Sequence, residues 1–262
     1  KWIADFRDPW TSIGYHKALK LTKSSQQKHI KLEQQVLTKA DQIVVTSLNT
    51  KLEFQNKTYQ PIKVITNGFD NEHLESVILD KKFSIAHIGS LLSKRNPELL
   101  WKVLQDLINE NKTFERYFQL KLVGTVSDDV LNKLKSNKLT NYIYKVGYVS
   151  HNESVSIQKK SQVLLLIEIN SEETKCIIPG KLFEYMVSNR PILAIGPKQS
   201  DVEVIIAETN TGEYFYYDDY ENLKSAILKH FNAFLEGNLK SNPIGLQKYS
   251  RKALTKKLSE II

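Results

Sequence analysis

The chain has 262 residues and a formal net charge of +8 at pH 7, with 41% hydrophobic and 10% aromatic residues. This apolar content allows one large core or two smaller ones, and the lack of any run of about 18 apolar residues excludes a membrane-spanning helix. A single cysteine excludes an intramolecular disulfide and is typical of a reducing compartment, and the few, scattered histidines argue against a structural zinc site.

The first residues, Trp2 to Phe6, have the pattern of a buried strand rather than a signal peptide, so we expect the chain to be part of a longer protein. A lysine-rich segment follows, in which the only acid is Glu33 and the lysines are Lys17, Lys20, Lys23, Lys28, Lys31 and Lys39. A solvated helix face and a surface resting on anionic lipid headgroups both explain it. Nucleic acid is not an expected partner, because no helix-turn-helix or RNA-binding signature is present.

The first part of the chain alternates between strand and helix patterns. Strands are predicted at 2–6, 43–46 and 63–65, and helices at 24–39 and from Ser47 to about 57. Nearly all-apolar strands in a β–α–β–α–β order are typical of a parallel sheet covered on both faces. The polar segment 67–82 loses the periodicity and is predicted to be a hinge between two domains.

A second unit begins with the strand Phe83 to Ile88, which ends at Gly89. Asn96 is a good N-cap and Pro97 suits the first helical position, so a helix is predicted from Pro97 to about Asn109. Lys94 and Arg95 precede this helix, where cations oppose the helix dipole. A bound anion would relieve that opposition, although a simple surface position explains the pair as well.

The rest of the chain continues the alternation. Further strands are predicted at 119–123, 142–146, 163–167, 192–195 and 213–217, and helices at 127–137, 151–160, 201–206, 220–235 and 247–262. Ser150 with Glu153 and Ser200 with Glu203 have the spacing of capping boxes.

The stretch from Pro179 to Pro191 predicts a loop that opens a helix and feeds a buried strand. Gly180 and Lys181 lie at the predicted helix start, where free N–H groups and a lysine charge can receive a phosphate. Glu184 lies one turn later on the same predicted face, and its carboxylate suits the hydroxyls of a ribose.

No dinucleotide-binding glycine motif, P-loop, serine-hydrolase elbow or Asp-x-Asp pair occurs. What remains is a cationic loop, a helix start and a glutamate, all expected at the carboxyl edge of one parallel sheet. This combination suits a nucleoside diphosphate.

The strings Asp5 to Trp10, Val64 to Asp70 and Gly180 to Tyr185, in this order and spacing, resemble bacterial GT-B glycosyltransferases of the family 4, group 1 type. The resemblance covers nearly the whole chain. It implies an α/β fold in which a Rossmann-like parallel sheet domain with helices on both faces accompanies a partial second Rossmann-like domain. Residues 1–68 would be the end of a truncated acceptor domain, 69–240 the nucleotide-sugar-binding domain, and 241–262 a helix crossing back to the first.

The resemblance also implies roles for individual residues. Lys94 and Arg95 would bind the donor diphosphate beside Gly89, Glu184 would bind the ribose, and Val149 would lie near the nucleobase. The expected function is retaining, metal-independent sugar transfer from a nucleotide-sugar to a glycan or lipid-linked acceptor in cell-surface polysaccharide synthesis. The expected place is cytoplasmic, with peripheral membrane contact as an added interpretation of the lysines, and no cofactor is expected.

Two positions depart from the family pattern. Cys176 stands where a glutamate is common, and Ser90 stands where an arginine often follows the strand-end glycine. The donor sugar would then be contacted differently, through Glu172 or Glu173, or this branch has altered its chemistry. No catalytic residue is assigned, and a non-catalytic nucleotide-sugar-binding module and a sugar-nucleotide epimerase stay open as alternatives. The chain alone is expected to be inactive in transfer.

Overall fold

The computed structural model describes residues 1–70 and 77–262 of the chain, and within them two parallel β-sheets. The first sheet has the order β1-β2-β3 and consists of β1 (Ile3–Phe6), β2 (Gln42–Val45) and β3 (Ile62–Val64). The second has the order β6-β5-β4-β7-β8-β9 and consists of β4 (Phe83–Ile88), β5 (Phe118–Val123), β6 (Ile143–Gly147), β7 (Val163–Ile167), β8 (Ile192–Gly196) and β9 (Gly212–Tyr216).

Helices connect the strands and cover the sheets. They are α1 (Gly14–Ala18), α2 (Lys23–Lys39), α3 (Leu48–Gln55), α4 (Glu98–Glu110), α5 (Lys112–Tyr117), α6 (Asp128–Ser136), α7 (His151–Lys160), α8 (Lys181–Met186), α9 (Asp201–Thr209), α10 (Tyr220–Leu235) and α11 (Arg251–Ser259).

The central strands β4, β7 and β8 of the second sheet are buried on both faces, as their apolar sequences predict. Along β7, Val163, Leu165 and Ile167 pack into one core, while Leu164 and Leu166 pack into another on the opposite face. Successive strand residues point to opposite faces, so a strand covered on both sides has to be apolar throughout. The predicted α/β class with helices on both faces of parallel sheets is confirmed.

The order of the second sheet determines where a ligand can approach. β4 and β7 are neighbours in the middle, and the chain moves outward from β4 through β5 to β6, and from β7 through β8 to β9. Connections on the two halves therefore leave on opposite faces, and a crevice opens outside the carboxyl ends of β4 and β7. Ligands of open parallel sheets bind at this reversal point.

The last helix returns to the first sheet. Leu254 of α11 packs against Val44 and Ile65, and the backbone N–H of Phe69 donates to the carbonyl of Tyr249 at 3.1 Å. The predicted domain limits at 68 and 240 stay predictions, and residues 71–76 of the predicted hinge lie outside the described residues.

Two predicted caps are wrong. Asn96 does not cap α4, because its side-chain oxygen accepts a hydrogen bond from the indole of Trp101 at 2.7 Å, and Pro97 precedes the helix instead of opening it. The Ser200–Glu203 box is not formed, because the Glu203 carboxylate accepts from the N–H of Gln199 at 3.1 Å. Ser200 does cap α9, and the Ser150–Glu153 box of α7 is confirmed.

Candidate functional site

The loops that follow β4 and β7 form the crevice at the reversal point. β4 ends at Ile88 and is followed by Gly89, while β7 ends at Ile167 and is followed by Glu168 and the long loop to α8. The structure thus brings the predicted strand-end glycine and the predicted helix start to the same edge of the sheet.

Gly89 forms a tight turn that only glycine can adopt without strain. Its φ is +113°, and its N–H donates to the carbonyl of Val123 at 2.8 Å. Gly124 lies directly behind it with φ of +104°, and a Cβ atom on Gly124 would lie 3.0 Å from the Gly89 carbonyl oxygen. The turn is therefore supported from behind by another backbone.

Lys181 reaches from the first turn of α8 to the end of β4. Its Nζ donates to the carbonyl of Ile88 at 2.9 Å, and a Cβ on Gly89 would lie 3.4 Å from the same Nζ. The Tyr185 hydroxyl, one turn later, accepts from the N–H of Ile88 at 3.1 Å. Burial, with a smaller effect from the charge of Arg95, lowers the pKa of Lys181 to about 7. The side-chain amine of Lys181 thus lies beneath the Gly89 turn, while Gly180, the residue before Lys181, is exposed.

Lys94 and Arg95 lie in the loop between β4 and α4, as predicted. Lys94 is exposed and Arg95 is half-buried. Within the described residues, neither side chain forms an ion pair. The charge of Arg95 acts on both Lys181 and His87, so these three basic groups share one region of the crevice.

Glu184 turns away from Lys181 and towards α7. Its carboxylate accepts a hydrogen bond from Gln158 Nε2 at 2.8 Å and lies 3.1 Å from His151 Nε2. All three residues line a cavity of about 550 Å³. The sequence placed Glu184 on the same face as Lys181, but the contacts of these two side chains separate them, and the role of His151 was not predicted.

Val149 lies two residues before His151, after the turn at Gly147. Val149 is half-buried and packs against the core on the α8 side of the sheet. The carbonyl of Gly147 accepts from the N–H of Gly124 at 2.6 Å, so the turn after β6 continues the row of strand-end turns that begins at Gly89. Val149 and Glu184 therefore flank the start of α7.

Glu168 is a buried acid that the sequence did not single out. Its side chain lies 2.7 Å from the Tyr214 hydroxyl and accepts from the Ser200 hydroxyl at 2.9 Å. Tyr214 also lies 2.8 Å from the carbonyl of Pro197, and its single proton cannot serve both acceptors. A proton on Glu168 resolves this, and burial raises the pKa of Glu168 to about 8.

Side chains from the second sheet reach the first at the same edge. The Asp201 carboxylate accepts hydrogen bonds from the N–H groups of Leu48 and Asn49 at 3.0 and 3.1 Å, and from Asn49 Nδ2 at 2.9 Å. Lys17 of α1 forms an ion pair with Glu173. Asp201 thus completes the amino-terminal turn of α3 from across the crevice, and Glu173 already has a partner there.

The two departures from the family pattern lie nearby. Cys176 is half-buried, and burial raises the pKa of its thiol to about 11, which opposes a nucleophilic role. Ser90 is exposed directly after Gly89, and Glu172 pairs with Lys175 at 3.0 Å.

No cluster of three metal-ligating side chains occurs in residues 1–70 and 77–262. Within the same ranges, no helix combines the length and apolar character needed to cross a bilayer.

Comparisons with known proteins agree on the fold. No known family model matches the chain. A curated relative, an uncharacterized glycosyltransferase from Methanocaldococcus jannaschii, is 28% identical over 207 residues, which are 74% of this chain and 50% of the relative. The chain therefore spans about half the length of this relative.

Solved structures cover the chain more fully. Sucrose-phosphate synthase from Thermosynechococcus elongatus matches 99% of this chain over 66% of its own, with a TM-score of 0.69 and 14% identity. HepE from Anabaena in complex with UDP matches 99% of this chain over 71% of its own, with a TM-score of 0.70 and 12% identity. WaaG, a glycosyltransferase involved in lipopolysaccharide biosynthesis, matches 99% of this chain over 74% of its own, with a TM-score of 0.67 and 13% identity. The predicted resemblance to GT-B glycosyltransferases is thereby confirmed in the fold.

Proposed function

We propose that this chain is the nucleotide-sugar-binding part of a glycosyltransferase that moves a sugar to a glycan or lipid-linked acceptor. The observation that carries the proposal is the group of basic side chains around the Gly89 turn, at the reversal point of the sheet. They are Lys94, Arg95 and Lys181, and none has an acidic partner among residues 1–70 and 77–262. The carboxylates at this edge, Glu168, Glu173 and Asp201, contact other groups, so they do not neutralise these cations. Such a cluster of cations suits an anion, and a nucleoside diphosphate supplies one.

The same groups suit the chemistry of transfer. The departing diphosphate gains negative charge as the glycosidic bond breaks, so cations beside it stabilise the transition state more than the ground state. Because Lys94, Arg95 and Lys181 provide that charge, we propose transfer without a metal ion or another cofactor. Retention of configuration is part of the same proposal by resemblance to the family.

Glu184 and Val149 complete the proposed donor site. The hydroxyls of a bound ribose would donate to the Glu184 carboxylate and replace the hydrogen bond that it now accepts from His151 or Gln158. The nucleobase would then lie near Val149. Gly180 and Lys181, at the start of α8, would contact the diphosphate from the side of that helix. The HepE structures contain UDP and UDP-glucose, which makes uridine diphosphate the first nucleotide to test.

The proposed setting is cell-surface polysaccharide synthesis at the cytoplasmic face of a membrane, with no nucleic acid partner. WaaG, with the same fold, is involved in lipopolysaccharide biosynthesis. The lysines of α1 and α2 are exposed, and exposed Tyr15, Leu19 and Ile30 lie among them, so this surface fits anionic headgroups.

Calorimetric titration with UDP, GDP and ADP tests the donor site. We expect saturable binding of one nucleotide. The double variant K94A/R95A should weaken it by about two to four orders of magnitude, since each of the two charge-assisted contacts contributes roughly 1.5–3 kcal/mol. The matched control is K256A/K257A, which removes two adjacent exposed cations of α11. No saturable binding, or equal weakening by both double variants, would contradict the proposal.

A further inference from the structure

The end of β4 is surrounded by basic groups with unused hydrogen-bonding capacity. Among the described residues, Lys181 Nζ has one acceptor, the carbonyl of Ile88, although an ammonium group has three donors. His87 is 1% exposed, and its Nε2 has no hydrogen-bond partner in the described chain, while its Nδ1 lies 3.1 Å from the carbonyl of Leu165. Two separate side chains thus have unmet polar atoms at one strand end.

The acids around this point are engaged elsewhere. Glu184, on the same helix as Lys181, contacts His151 and Gln158, and Glu168, after the neighbouring strand, contacts Tyr214 and Ser200. Tyr185 lies one turn after Lys181 on the same helix, and its hydroxyl accepts a hydrogen bond from the backbone N–H of Ile88.

The basic neighbours oppose a charge on Lys181. Arg95 lies in the loop above it and His87 lies on β4, while Lys94 is exposed beside Arg95. Burial and the charge of Arg95 bring the pKa of Lys181 to about 7, and burial with the charge of Lys181 puts the pKa of His87 well below its ordinary value. At neutral pH the Lys181 amine is therefore charged for only part of the time.

An anion at the Gly89 turn would reverse this balance, because a negative charge beside a buried amine favours its protonated form. We propose that a diphosphate bound at Gly89 draws a proton onto Lys181, so that donor binding and proton uptake are one coupled event. This inference rests on the proposed function, since it takes the diphosphate of the donor as the anion. Lys181 would then hold both the end of β4 and the ligand.

Linkage gives the sign and the size of the effect. If the bound amine regains an ordinary lysine pKa of about 10.4, binding at pH 8 takes up roughly 0.9 proton. Above pH 7 the affinity then falls as pH rises, by roughly tenfold or more between pH 7 and pH 8.5. The terminal phosphate, with a pKa of about 6, is already ionised in this range and does not produce the same trend.

The experiment is calorimetric titration of the chain with UDP at pH 8 in several buffers that differ in ionisation enthalpy. The observed enthalpy should vary linearly with the buffer enthalpy, with a slope close to one proton taken up. The variant K181R keeps a cation that does not titrate, so its slope should be near zero. Dissociation constants of the unchanged chain at pH 7 and pH 8.5 provide a second measurement that needs no variant.

The outcomes separate the two proposals. Binding of UDP with a slope near zero, or with affinity equal at the two pH values, would overturn proton uptake and leave the donor site intact. A slope that persists in folded K181R would assign the proton to another group and would also overturn the inference. Absence of nucleotide binding under all conditions would reject the donor site itself, and proton uptake with it.

Discussion

Replacing Asp201 by alanine should weaken the connection between the two sheets. The buried Asp201 carboxylate is the hydrogen-bond acceptor for two N–H groups in the first turn of α3 and for the side chain of Asn49. Loss of a helix cap costs about 0.5–2 kcal/mol, and each buried donor left without a partner costs about 1–3 kcal/mol. Since water can reach part of the opened turn, we expect a loss of about 2–4 kcal/mol in the free energy of unfolding.

Urea unfolding followed by tryptophan fluorescence measures this loss. The matched control is D128A, because Asp128 occupies the same first helical position in α6 after a serine N-cap but is exposed. D128A should cost at most about 1 kcal/mol, the size of a dipole interaction. A double-mutant cycle of D201A with N49A should give a coupling energy of about 0.5–3 kcal/mol. If D201A and D128A cost the same, Asp201 does not brace α3.

Two further predictions concern buried titratable groups. Folded Glu168 holds its proton up to a pH of about 8, whereas the unfolded chain releases it near pH 4.3, so stability should fall as pH rises through this window. The variant E168Q, which mimics the protonated side chain, should flatten the pH dependence of urea unfolding, and an unchanged profile would show that Glu168 is ionised in the folded chain. With the pKa of its thiol raised to about 11, Cys176 should react with a thiol reagent at pH 8 roughly a hundredfold more slowly in the native chain than in urea. Native and unfolded rates within fivefold of each other would refute its burial.

The strands of the second sheet and several helices could be predicted because their patterns are local. The apolar run Phe83–Ile88 and the helix Tyr220–Leu235 have the predicted limits, and the capping box at Ser150 forms as its spacing indicates. The short helices α1 and α5 were missed, since five or six residues are too few for a helical period to show.

The site was harder to predict because its contacts join distant parts of the chain. The Lys181 side chain donates to a carbonyl 93 residues earlier in the chain. This distant contact, more than the position of Lys181 on α8, sets the orientation of the side chain. In the sequence Glu168 is an ordinary acid at the start of a loop. Its burial follows from contacts with Tyr214 and Ser200, which are distant in the chain. Asn96 is a residue type that often caps a helix, but its side-chain oxygen accepts a hydrogen bond from the indole N–H of Trp101 instead.

The contact between Gly89 and Gly124 has a consequence for genetics. Gly124 lies behind the turn, and a methyl group there would push the Gly89 carbonyl forward from a position 3.0 Å away. At the proposed donor site, a mutational scan of nucleotide binding would record such a change as a loss, although residue 124 follows the neighbouring strand β5. Sensitivity at this position would thus report the space that the Gly89 turn requires.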